Sequence, residues 1–160
     1  MIDILIRKIN PNSSTEIHLV AKRMSQTLDE VLQGSNDHPQ YDMEWLINRV
    51  QQHTSGELQA QIYLASINEV IVGHTIVRIE DQKFGLFATT YVTPEFRNNS
   101  VASELIMQGE RWILDQNLTL SKTYTDQQNF KLIKLFEKHG YNITHTIKQN
   151  NMLILSKALS

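Results

Sequence analysis

The chain has 160 residues, 41% of them hydrophobic and 20% charged, with a formal net charge of -2 and no cysteine. This length predicts one domain over residues 1–160 that encloses a hydrophobic core. The balanced charge gives no sign of a nucleic-acid partner, and the absence of cysteine excludes disulfides, thiolate metal sites and cysteine nucleophiles. The sequence has no signal-peptide pattern and no apolar run of membrane-spanning length, so we expect a cytoplasmic protein without membrane contact.

The first third of the chain predicts a strand and two helices. In "IDILIRKI" the isoleucines alternate with other residues, which is typical of a strand. Ser13 and Glu16 then form a capping-box pattern, in which the hydroxyl and the carboxylate each accept a hydrogen bond from a free amide. Apolar residues follow at helical spacing as far as Leu32. After a break at "QGSNDHPQ", the stretch "YDMEWLINRVQQH" predicts a second helix, with Trp45 and Val50 on or near one face.

The rest of the chain predicts six more strands and two helices. The segments "LQAQIYLASI", "EVIVGHTIVRI" and "GLFATTYV" are rich in β-branched residues and predict three antiparallel strands, the first two joined in a tight hairpin at Asn68-Glu69. A helix with Gly109 on its packing face, the strand "LTLSKTY", a helix that ends at Gly140 and a final hairpin follow. The order β-α-α-β-β-β-α-β-α-β-β indicates an α/β fold with a mixed sheet.

The stretch "YVTPEFRNNSVASELI" runs from a predicted strand through a turn into a helix. A helix N-terminus has unpaired amides and a partial positive charge, so it binds phosphate oxygens. Arg97 lies in this turn, and Asn98 and Asn99 tolerate the unusual torsions of such loops. Ser100 is placed either to cap the helix or to donate a hydrogen bond to a phosphate. From this stretch alone, a phosphate site and a plain capped turn both remain open.

Two segments taken together resemble the GNAT superfamily of acyl-CoA-dependent N-acetyltransferases. They are "YVTPEFRNNSVA" and "NFKLIKLFEKHGY", in this order and on the expected elements. The resemblance covers the element order of the whole chain and the sequence pattern from Ile62 to Tyr141. It implies a GNAT-like fold and an enzyme that uses acetyl-CoA to acetylate an amine of a small molecule, peptide or protein. A catalytically weak or inactive acyl-CoA-binding module is the alternative.

The resemblance also implies which residues contact the cofactor. The end of the strand would pair its backbone with the pantetheine amides, and the turn and the first helical turn would surround the pyrophosphate. The expected cofactor-binding residues are Thr90, Tyr91, Val92, Arg97, Asn98, Asn99, Ser100, Val101, Ala102, Ser103, Asn129 and Phe136. For Asn129 the alternative is a polar residue at a helix N-terminus, where Asp126 has the better spacing for a cap.

Two positions depart from the family pattern. Ser100 stands where glycine is usual, which predicts crowding of the pyrophosphate. Phe136 stands where a tyrosine usually protonates the leaving thiolate, and phenylalanine has no proton to donate. Tyr124 is the nearest candidate acid. The alternative is that its ring only fills space at the end of the sheet. His74 is the candidate base, because histidine titrates near neutrality, with a structural histidine as the alternative.

The acceptor wall is expected in the loop and helix start after the first helix, where Tyr41 and Glu44 are the candidate substrate residues. Acidic residues there favour a cationic amine, whereas a solvated loop with Trp45 packed inward is the alternative. The histidines show no metal-ligand spacing, so we expect no metal, and His139 and His145 are expected at the surface. Relatives often pair through their C-terminal strands, which leaves a homodimer as one option.

Overall fold

The computed structural model describes residues 3–32, 42–97 and 100–160. Within these ranges it contains seven strands and four helices, in the order that the sequence predicts. The elements are β1 (Leu5–Lys8), α1 (Ser14–Leu32), α2 (Met43–Gln52), β2 (Ala60–Ile67), β3 (Val70–Glu80), β4 (Phe84–Val92), α3 (Val101–Asp115), β5 (Leu120–Asp126), α4 (Phe130–Lys138), β6 (Asn142–Ile147) and β7 (Met152–Ala158).

The seven strands form one mixed sheet in the order β1-β2-β3-β4-β5-β7-β6. Neighbouring strands are antiparallel except for β4 and β5, which are parallel. A parallel pair needs a crossover connection, and α3 provides it between these two strands. The prediction of an α/β fold with a mixed sheet is therefore confirmed.

The turns that the sequence predicts are formed by residues in the left-handed region. Asn68 and Glu69, between β2 and β3, have φ of 51° and 68°. Positive φ at both central residues matches the twist of an antiparallel hairpin. Gly140 has φ of 91° directly after α4, which is the expected glycine stop of a helix.

The core has two layers, one on each face of the sheet. One layer packs α1 and α2 on the sheet through residues such as Val20 and Leu46. The other packs α3 and α4 on the opposite face, where Phe87 of β4 is buried. Gly109 of α3 allows the close approach on this side, since a Cβ atom there would lie 2.5 Å from the Phe87 ring. The predicted packing role of Gly109 is confirmed.

The start of α1 is capped in a different way from the predicted reciprocal box. The Ser13 hydroxyl accepts a hydrogen bond from the Glu16 amide at 3.2 Å, as expected. The Glu16 carboxylate, however, accepts from the amide of Asn10 at 2.9 Å and pairs with Arg7 at 2.7 Å. The hydrogen bond from Arg7 is the main reason why the pKa of Glu16 is lowered. These contacts connect α1 to β1 and the turn that follows it.

Candidate functional site

The strands β4 and β5 pair over only a short stretch and then separate. Their parallel register covers three pairs and ends at Phe87 and Thr123. The following residues of β4, as far as Val92, pair with β3 alone among the described strands. One edge of β4 therefore presents backbone groups to the space between the two strands. Such an edge can pair with an extended ligand that carries amides, as if with another strand.

A cleft of about 650 Å³ begins at this open edge. Its walls come from β4, the following turn, the first turn of α3, and α4, with one residue of α1. Eight of the expected cofactor residues lie in the lining. The lining residues are Thr27, Thr90, Tyr91, Val92, Phe96, Arg97, Ser100, Ala102, Ser103, Asn129, Lys131, Leu132, Lys134, Leu135 and Lys138.

The first turn of α3, which forms part of the cleft wall, has free backbone amides. The first helical hydrogen bond runs from the Glu104 amide to the Ser100 carbonyl, at 3.0 Å. The amides of the three preceding residues therefore have no partner inside the helix, which is the usual arrangement at an anion-binding helix N-terminus. Ala102 and Ser103 are both in the cleft wall.

Ser100 adopts the backbone conformation of a glycine. Its φ and ψ are 68° and 4°, in the left-handed region, and its side chain forms no capping hydrogen bond. Capping by Ser100 is therefore wrong, because a capping hydroxyl requires an extended backbone at the cap residue. Ser100 instead lines the cleft. Ser100 thus has backbone torsions that glycine adopts most easily, at a position where glycine was expected. Asn98 and Asn99 lie outside the described residues.

The start of α4 also differs from the predicted cap. The helix begins one residue after Asn129, whose side chain accepts a hydrogen bond from the Leu132 amide at 3.4 Å. Asp126 instead accepts from the amide of Gln128 at 2.8 Å, within the turn before the helix. Asp126 as the cap is therefore wrong. Asn129 both caps the helix and lines the cleft.

The sequence reasoning missed three lysines of α4. Lys131, Lys134 and Lys138 all line the cleft, together with Leu135. Their spacing of three and four residues places them on one face of a helix. That spacing is readable in "KLIKLFEK", so the signal was present in the sequence. The end of α4 is held against α3, since the ring nitrogen Nε2 of His139 lies 2.9 Å from the Ser103 hydroxyl.

His139 is consequently half-buried, and burial lowers its pKa. The expectation that His139 lies at the surface is wrong, because α4 ends against the start of α3. His145 of β6 is exposed, as expected.

Tyr91 of β4 lies at the centre of a cluster of polar contacts behind the open edge. The guanidinium groups of Arg23 and Arg97 lie 5.2 Å and 5.5 Å from its ring centre. Arg97 also donates from Nε to the Val92 carbonyl at 2.8 Å. The ring of His74 stacks on Tyr91 at 6.1 Å. These contacts hold the end of β4 and the following turn in one arrangement.

His74 is buried, with 2% of its surface exposed, and its Nε2 lies 2.9 Å from the Thr89 hydroxyl. Burial, together with the charge of Arg23, lowers its pKa to about 3. The imidazole is therefore uncharged at neutral pH. A group with so low a pKa is too weak a base to take a proton from an amine near neutral pH. The burial of His74 and its contact with Thr89 therefore favour a structural role.

Two of the expected cofactor residues face the core instead of the cleft. Val101, the first residue of α3, is buried, and Phe136 of α4 has no exposed surface. The Phe136 ring packs edge-on against Phe87 and Tyr141, at 5.4 Å and 4.9 Å between ring centres. Tyr141 in turn donates to the Glu110 carboxylate at 2.7 Å.

Tyr124 of β5 lies on the other side of the sheet. Its neighbours Thr123 and Thr125 are buried, whereas Tyr124 is 38% exposed, because successive side chains of a strand point to opposite faces. Burial, and then the charges of Glu80 and Asp81, raise its pKa. The phenol is therefore protonated at neutral pH. It faces the same side of the sheet as α1 and α2.

The expected acceptor wall is described only in part. Glu44 is exposed in the first turn of α2, beside the cap residue Asp42 and near Trp45, in a shallow depression. Trp45 is 42% exposed, so it does not pack fully inward. Tyr41 lies outside the described residues.

The described residues contain neither a metal-binding group nor a membrane-spanning helix. Over residues 3–32, 42–97 and 100–160, no group of three or more histidine, aspartate or glutamate side chains is placed to hold a metal ion. None of the helices in these ranges is long and apolar enough to cross a membrane.

Comparison with known sequences assigns residues 23–141 to a family described as "Acetyltransferase (GNAT) family". The matched segment includes the whole cleft lining and both departures from the pattern, Ser100 and Phe136. No curated protein sequence matches the chain.

Solved structures share the fold along the whole chain. The PaiA N-acetyltransferase of Thermoplasma acidophilum, solved in complex with coenzyme A, superposes with a TM-score of 0.79 at 17% identity, over 98% of this chain and 99% of that one. A GNAT-family acetyltransferase of Staphylococcus aureus gives 0.78 at 14% identity, over 99% and 100%. A GNAT-family acetyltransferase of Elizabethkingia anophelis with acetyl-CoA bound gives 0.65 at 15% identity, over 98% of both chains.

Proposed function

Because the chain belongs to the acetyltransferase (GNAT) family, we propose that it transfers an acetyl group from acetyl-CoA to a primary amine of a small molecule, peptide or protein. The observation that carries the proposal is the cleft, which joins an open strand edge to a helix N-terminus. Coenzyme A has the matching chemistry, since its pantetheine arm carries amides and its pyrophosphate is an anion. The cationic side chains of the cleft wall and the free amides at the start of α3 suit the pyrophosphate.

The proposed binding mode runs from the open edge of β4 to the first turn of α3. The backbone of Thr90, Tyr91 and Val92 pairs with the pantetheine amides. The turn from Arg97 to Ser100, with Asn98 and Asn99, and the first turn of α3 as far as Ser103 surround the pyrophosphate. The Asn129 side chain binds a polar group of the pantetheine arm with the amide hydrogens that its cap does not use.

The proposed reaction is a direct attack in a ternary complex. The neutral amine nitrogen forms a bond to the thioester carbonyl carbon, and the carbon–sulfur bond breaks. A cationic amine first gives one proton to the solvent, and after the attack its nitrogen releases a second one. The departing thiolate of CoA takes up one proton, so the products are the amide, the CoA thiol and one proton in solution. A free thiol has a pKa of about 8.5, so departure near neutral pH does not require a strong acid.

Tyr124 is the proposed proton donor, and it acts from the acceptor side of the sheet. Its phenol keeps its proton at neutral pH, since its pKa is raised. Phe136 cannot perform this role, because it has no ionisable group and is enclosed in the core. We assign His74 to positioning: its contacts with Thr89 and Tyr91 hold the strand edge that receives the pantetheine arm.

The proposed acceptor is a cationic amine that approaches from the side of α1 and α2. Glu44, with Asp42 beside it, supplies negative charge on this side, and Tyr41, which directly precedes Asp42 in the sequence, is the second proposed substrate residue. A charged wall of this kind raises the local concentration of a cation and steers it toward the site.

The alternative function is acyl-CoA binding with weak or no catalysis. The burial of Phe136 at the usual position of the acid favours it. Both functions require binding of acetyl-CoA, but only the transferase transfers the acetyl group to an amine. A binding measurement and a turnover measurement together therefore separate them.

The test is release of free CoA thiol from acetyl-CoA in the presence of a panel of amines, after calorimetry has established binding. Acetyl-CoA binding with amine-dependent thiol release supports the transferase. Binding without release on any amine supports the alternative. Absence of binding at millimolar acetyl-CoA contradicts both.

A further inference from the structure

The cleft has a strongly one-sided charge. Among the described residues, its lining includes four cationic side chains, Arg97, Lys131, Lys134 and Lys138, and no aspartate or glutamate. The chain as a whole carries a net charge of -2. The positive charge is therefore concentrated at this site, and such concentration marks the binding of an anion.

The cations of the cleft differ in their surroundings. The Arg97 guanidinium donates to the Val92 carbonyl and lies over the Tyr91 ring, so it is fixed beside the strand edge. The three lysines are exposed and have no ion-pair partner among the described residues. They are available to an anion that lies along α4.

The lysines form a row that extends beyond the N-terminus of α3. Lys138 precedes His139, which contacts Ser103 in the first turn of α3. Lys134 and Lys131 follow at intervals of one helical turn toward the start of α4. A ligand whose pyrophosphate occupies the α3 N-terminus thus has a second cationic surface beside it, and a second phosphate on the same ligand would meet it.

We propose that Lys131, Lys134 and Lys138 bind the 3′-phosphate of coenzyme A and so select the complete coenzyme over acyl carriers that lack this group. The inference rests on the proposed function, since it assumes that CoA occupies the cleft. It adds the residues that recognise the adenosine end of the cofactor. It also gives a reason why the phosphate loop tolerates the loss of basic and glycine residues, because much of the charge comes from α4.

The test compares CoA with 3′-dephospho-CoA, which differs only in that phosphate, by calorimetry. We expect the wild type to bind CoA at least about fivefold more tightly, since each exposed ion pair contributes about two- to fivefold. The variant K131Q/K134Q should lose about fivefold in CoA affinity and change less than about twofold for dephospho-CoA. The preference for CoA should also shrink as salt is raised from about 50 to about 300 mM.

Lys83→Gln is the matched control, because Lys83 is an exposed lysine before the opposite end of β4 and is absent from the cleft lining. It should leave both affinities unchanged, and a urea transition verifies that each variant is folded. Equal binding of the two ligands by the wild type, or an equal effect of K131Q/K134Q on both, overturns the inference while leaving the proposed function intact. Failure of the wild type to bind either ligand overturns both.

Discussion

Replacing Ser100 by glycine should stabilise the protein. Ser100 has φ of 68°, and its side chain makes no capping hydrogen bond, so glycine relieves strain without removing a cap. A left-handed conformation costs a residue other than glycine about 1–2 kcal/mol, and the greater freedom of glycine in the unfolded chain offsets about 0.4–1 kcal/mol. The net gain in the free energy of unfolding is therefore about 0.5–1 kcal/mol. Urea denaturation at 25 °C measures it.

The same substitution separates crowding from recognition at the phosphate loop. If the side chain crowds the pyrophosphate, Ser100→Gly binds CoA at least as tightly as the wild type, and Ser100→Ala does not bind more tightly. Asn117→Gly is the control, since Asn117 has φ of 65° and is not in the cleft lining. It should gain less stability, because asparagine tolerates this region, and its CoA affinity should not change. A destabilised Ser100→Gly would refute the strain argument, and weaker CoA binding by it would mean that the hydroxyl is a ligand.

Three further predictions concern stability and catalysis. His53, directly after α2, is buried with 4% of its surface exposed, and this burial lowers its pKa to about 4. Lowering the pH from 7 to 5 should cost about 4 kcal/mol of stability, about 2 from each of His53 and His74, because their pKa values of about 4 and about 3 lie below the unfolded value, so the unfolded state binds more protons in this window. Urea transitions of the wild type and His74→Gln measure it. Gly109→Ala should destabilise by about 1–3 kcal/mol, since the new Cβ would lie 2.5 Å from the Phe87 ring; thermal and urea unfolding measure it. Tyr124→Phe should lower kcat by about a hundredfold, within the usual range for a general acid, and leave acetyl-CoA affinity unchanged; steady-state kinetics and calorimetry measure the two quantities.

Each of these predictions has a result that contradicts it. A stability that is flat between pH 5 and 7, or an unchanged slope in His74→Gln, would show that the histidines are not buried as neutral groups. A more stable Gly109→Ala, as expected in an exposed helix, would mean that α3 does not approach the sheet closely. An unchanged kcat in Tyr124→Phe would remove Tyr124 from the reaction.

The fold was predictable because its local signals agree with one another. The hairpin at Asn68-Glu69, the helix stop at Gly140 and the packing face at Gly109 are each short-range patterns with a direct physical meaning. The parallel pairing of β4 with β5 and its early end at Phe87 were not readable, since they depend on contacts between segments that are distant in the chain.

The part of the site that consecutive residues form was predictable from the sequence. The segment from Arg97 to Ser103 carries its signal in consecutive residues, and all of its described members except Val101 line the cleft. Errors arose where tertiary contacts decide the outcome. The spacing of Asp126 suited a cap, but the helix begins later, at Phe130. The left-handed conformation of Ser100 was not predictable from its residue type, since serine before a helix usually caps it. The segment "KLIKLFEK" has the pattern of an ordinary amphipathic helix, and its role became visible only with the cleft beside it.

Titration of acetyl-CoA into the wild type and into Ala102→Glu is the most direct test of the account. Ala102 lines the cleft in the first turn of α3, where a carboxylate would oppose a phosphate yet favour the helix. Met107→Glu is the control, since Met107 is exposed on the same helix outside the cleft lining. The account predicts micromolar binding by the wild type and Met107→Glu, and loss of binding in Ala102→Glu. Equal binding by all three proteins, or no binding by the wild type at millimolar acetyl-CoA, would contradict the placement of acetyl-CoA in this cleft.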